Sequence, residues 1–335
     1  MKKTFTLLGL LFSLNLFSQT IYYVKASGDD AGGGASWTNA FQTLQKALST
    51  AGSGDQIWVG QGTYHPDEGD GLTDNDRNLS FSLKNGVAIY GGFSGSETEV
   101  NQRNWKINLT ILSGDIDQVD GKVNNSYRVL RNYGVNNTAI LDGFTITEGN
   151  ANNSGSGGGM YNNNSSPSLV NCNFSSNTVS ATSHTDSPSG GGMYNLYSSS
   201  PSLVNCSFSG NTAPWGAGMY NYSSSPSFVN CTFSGNNAIA SGGAIYNRNS
   251  SPSLVNCSFS GNTASRGGAT ASCINCFPSF VNCSFFGNTA SLGGSVMYSR
   301  GGMYNVDPCS LSLVNCILWV TQMTRFVMTK MPMLP

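Results

Sequence analysis

Over residues 160–319 apolar residues stand singly between small polar ones, in short alternating runs without helical spacing. In SSPSLVNCSFSGNTA, residues 250–264, Leu254, Cys257 and Phe259 alternate with polar neighbours, and Pro252, Asn256 and Gly261 punctuate the run. That is the signature of short strands joined by tight corners. The same fifteen residues stand at 199–213. Looser copies begin at Ser165, Ser224 and Cys276, and a worn one, CSLSLVNC, begins at Cys309. One cysteine slot recurs as Cys172, Cys206, Cys231, Cys257, Cys283 and Cys316, at spacings of 34, 25, 26, 26 and 33. A second phrase, G-G-x-M-Y-N, recurs from Gly157, Gly190, Gly216, Gly242 and Gly301.

A repeat of 25–26 residues has no room for a crossover helix, so the strands must wind on themselves. The predicted fold is all-β: a right-handed parallel β-helix with about 25–26 residues per coil and successive coils about 4.8 Å apart. The alternation puts Leu254, Cys257, Phe259 and Ile245 inward, and Val255 and Tyr246 outward. Asn256 sits at a bend, its amide paired with the asparagine of a neighbouring coil. Asn262 marks a second bend and Ala264 a narrow corner. A cysteine in this slot reads as a small inward hydrophobe in a stack, rather than a disulfide or a metal ligand. Cys273-x-x-Cys276 lies off the slot and reads as a loop disulfide or two free thiols.

The N-terminal half is less regular. TIYYVKASGDD and QIWVGQGTY are strands. Between them Phe41, Leu44, Leu48 and Ala51 fall at helical spacing, with Asn39 as the N-cap and Gln42 three residues later. This short helix is expected to cap the open end of the solenoid. The first residues, MKKTFTLLGLLFSLNLFSQT, have the basic start, apolar stretch and small-residue end of a secretion signal. The expected organisation is a signal peptide at 1–18, a cap and irregular coils at 19–150, regular repeats at 151–319 and an aberrant tail at 320–335.

Charge narrows the function. Only 10% of residues are charged and the net charge is −1, which argues against a nucleic-acid partner. No segment after the signal is apolar enough to cross a bilayer as a helix. Between residues 151 and 320 the charged residues are Asp186, Arg248, Arg266, Arg300 and Asp307. No regular coil can therefore place two acids side by side, as a glycoside hydrolase requires. The candidate catalytic residues are N-terminal: Asp115, Asp117 and Asp142, with Arg103, Arg128 or Arg131. Asp67, Asp70, Asp74 and Asp76 make an acidic loop without the spacing of a calcium loop. Ca²⁺ is weighed there, but no cofactor and no metal site are expected. His65 and His184 stand alone. Tyr161, Tyr194, Tyr220, Tyr246 and Tyr304 share one slot, either as a strip that stacks on sugars or as a ladder stacked on itself.

F-x-x-N at Phe174, Phe208, Phe233, Phe259 and Phe285, with GGAI at Gly242, resembles the repeat of the chlamydial polymorphic outer-membrane proteins. YYVKASGDD, GDQIWVGQGTYHP, VAIYGGFSGSETE, ILSGD and LDGFTITEGNA resemble secreted, pectin-lyase-like right-handed β-helix proteins. The resemblance runs over nearly all of residues 19–319. It implies a secreted, cell-surface or outer-membrane protein, and such coils host enzymes and adhesins alike. The preferred reading is a non-catalytic, adhesin-like binding or structural module whose partner is a glycan or a cell-surface protein. The alternative is a polysaccharide lyase or glycoside hydrolase. Relatives often end in a sorting or anchoring domain, and no such pattern is read after these coils. Residues 320–335 instead lack Gly, Asn, Asp and Ser and carry Met323, Met328, Met331 and Met333. A shifted reading frame after Trp319, with one G lost from a run of Gs, accounts for that composition.

Overall fold

The computed structural model describes residues 19–119, 121–152, 155–180, 188–291, 302–306 and 308–319, and the backbone of 320 and 324–328. The expected signal peptide, most of the tail, Asp186, His184, Arg300, Gly301 and Asp307 lie outside the described residues.

The chain is a right-handed parallel β-helix. Its regular coils have four sides, each a parallel sheet running along the axis. In one coil, Ile245–Arg248 lies on the tyrosine side, Ser253–Val255 on the leucine side, Ser258–Ser260 on the phenylalanine side and Thr263–Ala264 on the alanine side. Pairing is in register from coil to coil. Leu169 faces Leu203, Phe208 faces Phe233 and Tyr220 faces Tyr246. Among the described residues the tyrosine side begins at Leu130–Tyr133 and the alanine side at Asn150–Ala151. The earlier coils have loops on those two sides.

The alternation read from the sequence holds. Leu254, Cys257, Phe259 and Ile245 are buried, and Val255 is only half-buried. Phe174, Phe208, Phe233, Phe259 and Phe285 form one stack, with centroids 4.7–4.9 Å apart and planes within 7° of parallel. The six slot cysteines lie beside it, buried and unbridged. Ala213, Ala238 and Ala264 fill the narrow corner with Ala151 and Val179. The glycine pair of the second phrase has two causes. Gly242 has φ +70°, and a Cβ on Gly243 would lie 2.1 Å from the Gly268 carbonyl oxygen of the next coil.

Two ladders of buried asparagines run through the interior. In one, Asn132, Asn162, Asn195 and Asn221 each donate Nδ2 to the Oδ1 of the next coil, ending at Asn247, at 2.9–3.0 Å. In the other, Asn177, Asn211, Asn236 and Asn262 do the same toward Asn288, at 2.8–3.2 Å. Asn262 is therefore an inward ladder residue, and the bend expected there belongs to Gly261, φ +61°. A third ladder lies at the surface. Asn256 has φ +55°, donates to Asn230 and accepts from Asn282. It starts at an acid, since Asn171 donates to Asp142 at 2.8 Å.

The helix starts later than its apolar spacing predicts, at Leu44–Thr50, and Thr43 is the N-cap, accepting from the Lys46 N–H at 3.2 Å. Asn39 does not cap it, because Asp30 takes the Gln42 N–H, the Thr43 N–H and the Thr43 hydroxyl at 2.6–2.9 Å, and Phe41 bridges Val24 as a strand residue. Leu44, Ala47 and Leu48 are buried against the first strands. After the last leucine-side strand, Cys316–Val320 pairs antiparallel with the backbone of Thr324–Met328, a break from the parallel order.

Two substitutions test the stacks. Asn221→Ala leaves a buried donor on Asn195 and a buried acceptor on Asn247, at about 1–3 kcal/mol each, so chemical denaturation should show a loss of about 2–6 kcal/mol. Phe233→Ala should lose about 3–5 kcal/mol. Asn256→Gly, which keeps the positive φ, should stay within about 1 kcal/mol of wild type.

Candidate functional site

The outer surface of the tyrosine side is where charge and aromatic rings meet. Tyr161 stacks on Tyr194, Tyr194 on Tyr220 and Tyr220 on Tyr246, with centroids 5.1–5.6 Å apart and planes within 15°. The rings point outward, but their faces are spent on one another, so Tyr220 and Tyr246 are 5% and 9% exposed. Sugar stacking on those faces is thereby closed, and the strip is a self-stacked ladder. It is also shorter than five rungs. The next coil places Ala271 opposite Tyr246, and Tyr304 lies beyond that gap. The ladder's beginning is open: Tyr133 is 53% exposed and tilts against Tyr161 at 6.1 Å. Burial pushes the Tyr220 hydroxyl up to about 12, with Arg248 opposing the shift, so it remains a hydrogen-bond donor at any ordinary pH.

Four arginines border these rings. Arg128 lies over Tyr161 at 5.0 Å and donates Nε to the Ser156 carbonyl. Arg131 donates Nε and Nη2 to the Tyr133 hydroxyl at 2.9 and 2.6 Å. Arg248 lies over Tyr222 at 5.3 Å and bonds Tyr220, and Arg266 lies over Tyr304 at 5.8 Å. Among the described residues of 151–319, Arg248 and Arg266 are the only charged side chains.

The acids gather elsewhere, near the N-terminal end of the phenylalanine side. His65 Nδ1 meets Glu68 Oε1 at 2.9 Å. Burial disfavours the charged imidazole, but Glu68, Asp67 and Asp115 outweigh it and raise its pKa. The Asp115 carboxyl is raised by burial, then by Asp117 and Glu148, with His65 opposing. Asp115 Oδ1 and Asn125 Oδ1 are both shielded from solvent without a hydrogen-bond partner. Glu68 also lines an open cleft of about 420 Å³ with Asp29, Asp30 and Asp70.

The DUF1565 family, described as a protein of unknown function, matches residues 26–270. The chain belongs to the DUF1565 family. No curated protein matches it. Among solved structures it is similar to pectate lyase Pel9A, with TM-score 0.54 and 12% identity over 89% of this chain and 78% of that one. It is also similar to pectin methylesterase from carrot, with TM-score 0.49 and 9% identity over 88% and 82% of the two chains. At such identities the likeness is one of fold, the pectin-lyase-like β-helix.

In this DUF1565 chain the predicted catalytic residues do not converge. Asp115 and Asp117 are neighbours. Asp142 is on the leucine side, paired with Arg103 at 2.6 Å and bonded by Asn171. Arg128 is on the tyrosine side, where burial lowers its pKa. His65, read as isolated, sits among Glu68, Asp67 and Asp115, and its sequence neighbours Asp67 and Glu68 were the available signal. Glu148, paired with Lys122 at 2.9 Å, was missed. The acidic loop disperses: Asp67 accepts from the Asn75 N–H, Asp70 lines the cleft and Asp76 accepts from the Asn78 N–H. Among the described residues no three His, Cys, Asp or Glu groups are arranged to hold a metal, and no helix is long and apolar enough to cross a membrane.

The pKa directions give a pH test. A raised His65 stabilises the fold below its ordinary value of about 6.5 and loses that contribution as pH rises through the folded value. His65→Gln should therefore lower the melting temperature most in acid and least in alkali. A raised Asp115 is a cost wherever it is ionised. Asp115→Asn should raise the melting temperature at pH 8, with the gain vanishing below about pH 3.9.

Proposed function

We propose that this protein is an exported, non-catalytic β-helical module, adhesin-like, that holds an anionic glycan along its tyrosine side. The observation that carries this reading is the segregation of charge: Arg128, Arg131, Arg248 and Arg266 border the tyrosines, and no described acid lies in the coils that follow. Guanidinium groups match carboxylate and sulfate oxygens in a two-pronged fashion. The exposed Tyr133 ring and the phenol edges provide apolar contact and donors beside them. From the strand of Arg131 to that of Arg248 is four coil steps, or about 19 Å, which suits an extended chain with repeated charges.

Polygalacturonate serves as the probe. Affinity electrophoresis should detect retardation that weakens as salt rises from about 50 to 200 mM. Arg131→Ala and Tyr133→Ala should each weaken it about tenfold, a difference of about 1.4 kcal/mol, and Ser258→Ala on the phenylalanine side should leave it unchanged. Equal retardation by an uncharged glucan would refute an anion-selective site.

The alternative, a carbohydrate-active enzyme, is favoured by one observation, the contact of Asp115 with Asp117 beside His65 and Glu68. On the preferred reading, purified protein releases neither unsaturated products nor reducing ends from pectins, alginate or common glycans, with or without Ca²⁺. Turnover abolished by Asp115→Asn would establish the enzyme instead.

A further inference from the structure

A column of serines lines the corner between the tyrosine and leucine sides. Ser165 N–H donates to Ser199 Oγ, Ser199 N–H to Ser224 Oγ and Ser224 N–H to Ser250 Oγ, each at 3.0 Å. In the next two coils the column changes chemistry. Ser250 N–H meets Cys276 Sγ at 3.5 Å, and Cys276 N–H meets Cys309 Sγ at 3.2 Å. Two thiols thus follow one another where each of the four preceding coils has a hydroxyl. Their side chains are within hydrogen-bonding reach of each other. Their backbones run parallel in adjacent coils, as Ser310 N–H bonds the Cys276 carbonyl and Ser312 N–H the Pro278 carbonyl, both at 3.0 Å. That spacing, about 4.8 Å, lies inside the range of Cα separations, about 4.4–6.8 Å, that a disulfide spans.

We propose that Cys276 and Cys309 are a disulfide site that staples two successive coils. The reaction needs an oxidant, and a small-molecule disulfide supplies it. The half-buried Cys309, as thiolate, attacks one sulfur of that disulfide, forms a mixed disulfide and releases one thiol. Cys276 then gives up its proton and attacks the Cys309 sulfur, releasing the second thiol. Two protein thiols are oxidised and one disulfide is reduced to two thiols. Burial pushes the Cys276 thiol up to about 12, so Cys309 is the residue that reacts first.

Other pairings are disfavoured by placement. Cys273 is on the tyrosine side, its Sγ 2.8 Å from the Tyr246 hydroxyl. The slot cysteines have the same coil spacing and also reach one another, but all six are sealed in the interior, so none of them is open to an oxidant as the half-buried Cys309 is. The corner has positive φ in the earlier coils too, at Asn164, Tyr197, Ser223 and Asn249, but only here does a β-branched residue adopt it. Ile274, β-branched, is held at φ +61°, and Asn275 follows at φ +50°.

The experiment is disulfide mapping of the full chain after incubation with oxidised glutathione. Thiols are alkylated after unfolding without reductant, and peptic peptides are sequenced by tandem mass spectrometry. The expected product is a Cys276–Cys309 linkage, with the other seven cysteines alkylated. The oxidised protein should melt higher than the reduced one. Both results should vanish in Cys309→Ser, which restores the residue type of the four earlier coils and so should fold. Alkylation of both Cys276 and Cys309 in oxidised protein, or a dominant Cys273–Cys276 or slot-to-slot linkage, would overturn the assignment. So would a melting difference that persists in Cys309→Ser.

Discussion

The structure depends on one constraint: a polar group inside a parallel β-helix has a neighbour only directly above and directly below. An amide at the position of Asn221 cannot reach across to another side of the coil, so it is satisfied by its own kind, Asn195 on one side and Asn247 on the other. A single asparagine in one coil would be a buried polar group with two open valences, costly to the fold. A full column turns the same residue into a continuous hydrogen-bonded rail that fixes register, because a slip by one residue would set amides against tyrosines and a slip by two against methionines. The phenylalanine stack obeys the same rule with ring faces in place of amides.

That constraint explains which features were legible in the sequence. Residues repeated in every coil declared themselves, so the fold, the direction of Leu254, Cys257 and Phe259, and the surface pairing of Asn256 could be read from recurrence and alternation. The buried role of Asn162 and Asn195 was not read, because an asparagine closing a glycine-rich phrase looks like a turn residue unless the alternation with Met and Tyr is followed one step further. Single departures were harder. In the coil after Tyr246 the phrase keeps its glycines but reads Thr270-Ala271-Ser272, and so interrupts a strip that looks continuous when only the M-Y-N copies are counted. Thr43 displaced Asn39 as the cap because Asp30, from a preceding turn, holds Gln42 and Thr43, a contact that spacing along the chain cannot reveal.

The candidate site followed the same logic. Regular coils, needing identical residues at each level, leave little place for ionised groups, which repel when stacked. Among the described residues arginine is admitted in two of them, at the rim of the tyrosine ladder, where its guanidinium lies over a ring. The acids among the described residues are confined to the irregular N-terminal coils, whose loops relieve the need for repetition. Their grouping came from loops that close on one another, Asp115 near His65 across fifty residues, and no local pattern announces such a meeting.

Interchangeable coils also bear on how the gene can change. The identical stretches at 199–213 and 250–264 begin 51 residues apart, the length of two whole coils. Recombination between them would excise or duplicate an integral number of rungs and leave every remaining residue beside a partner of the type it already has. The excised segment would carry away Tyr220, Tyr246 and Arg248 together. The architecture is thus a ruler whose length, and with it the reach of the cationic strip, can be reset in one genetic event without designing a new core.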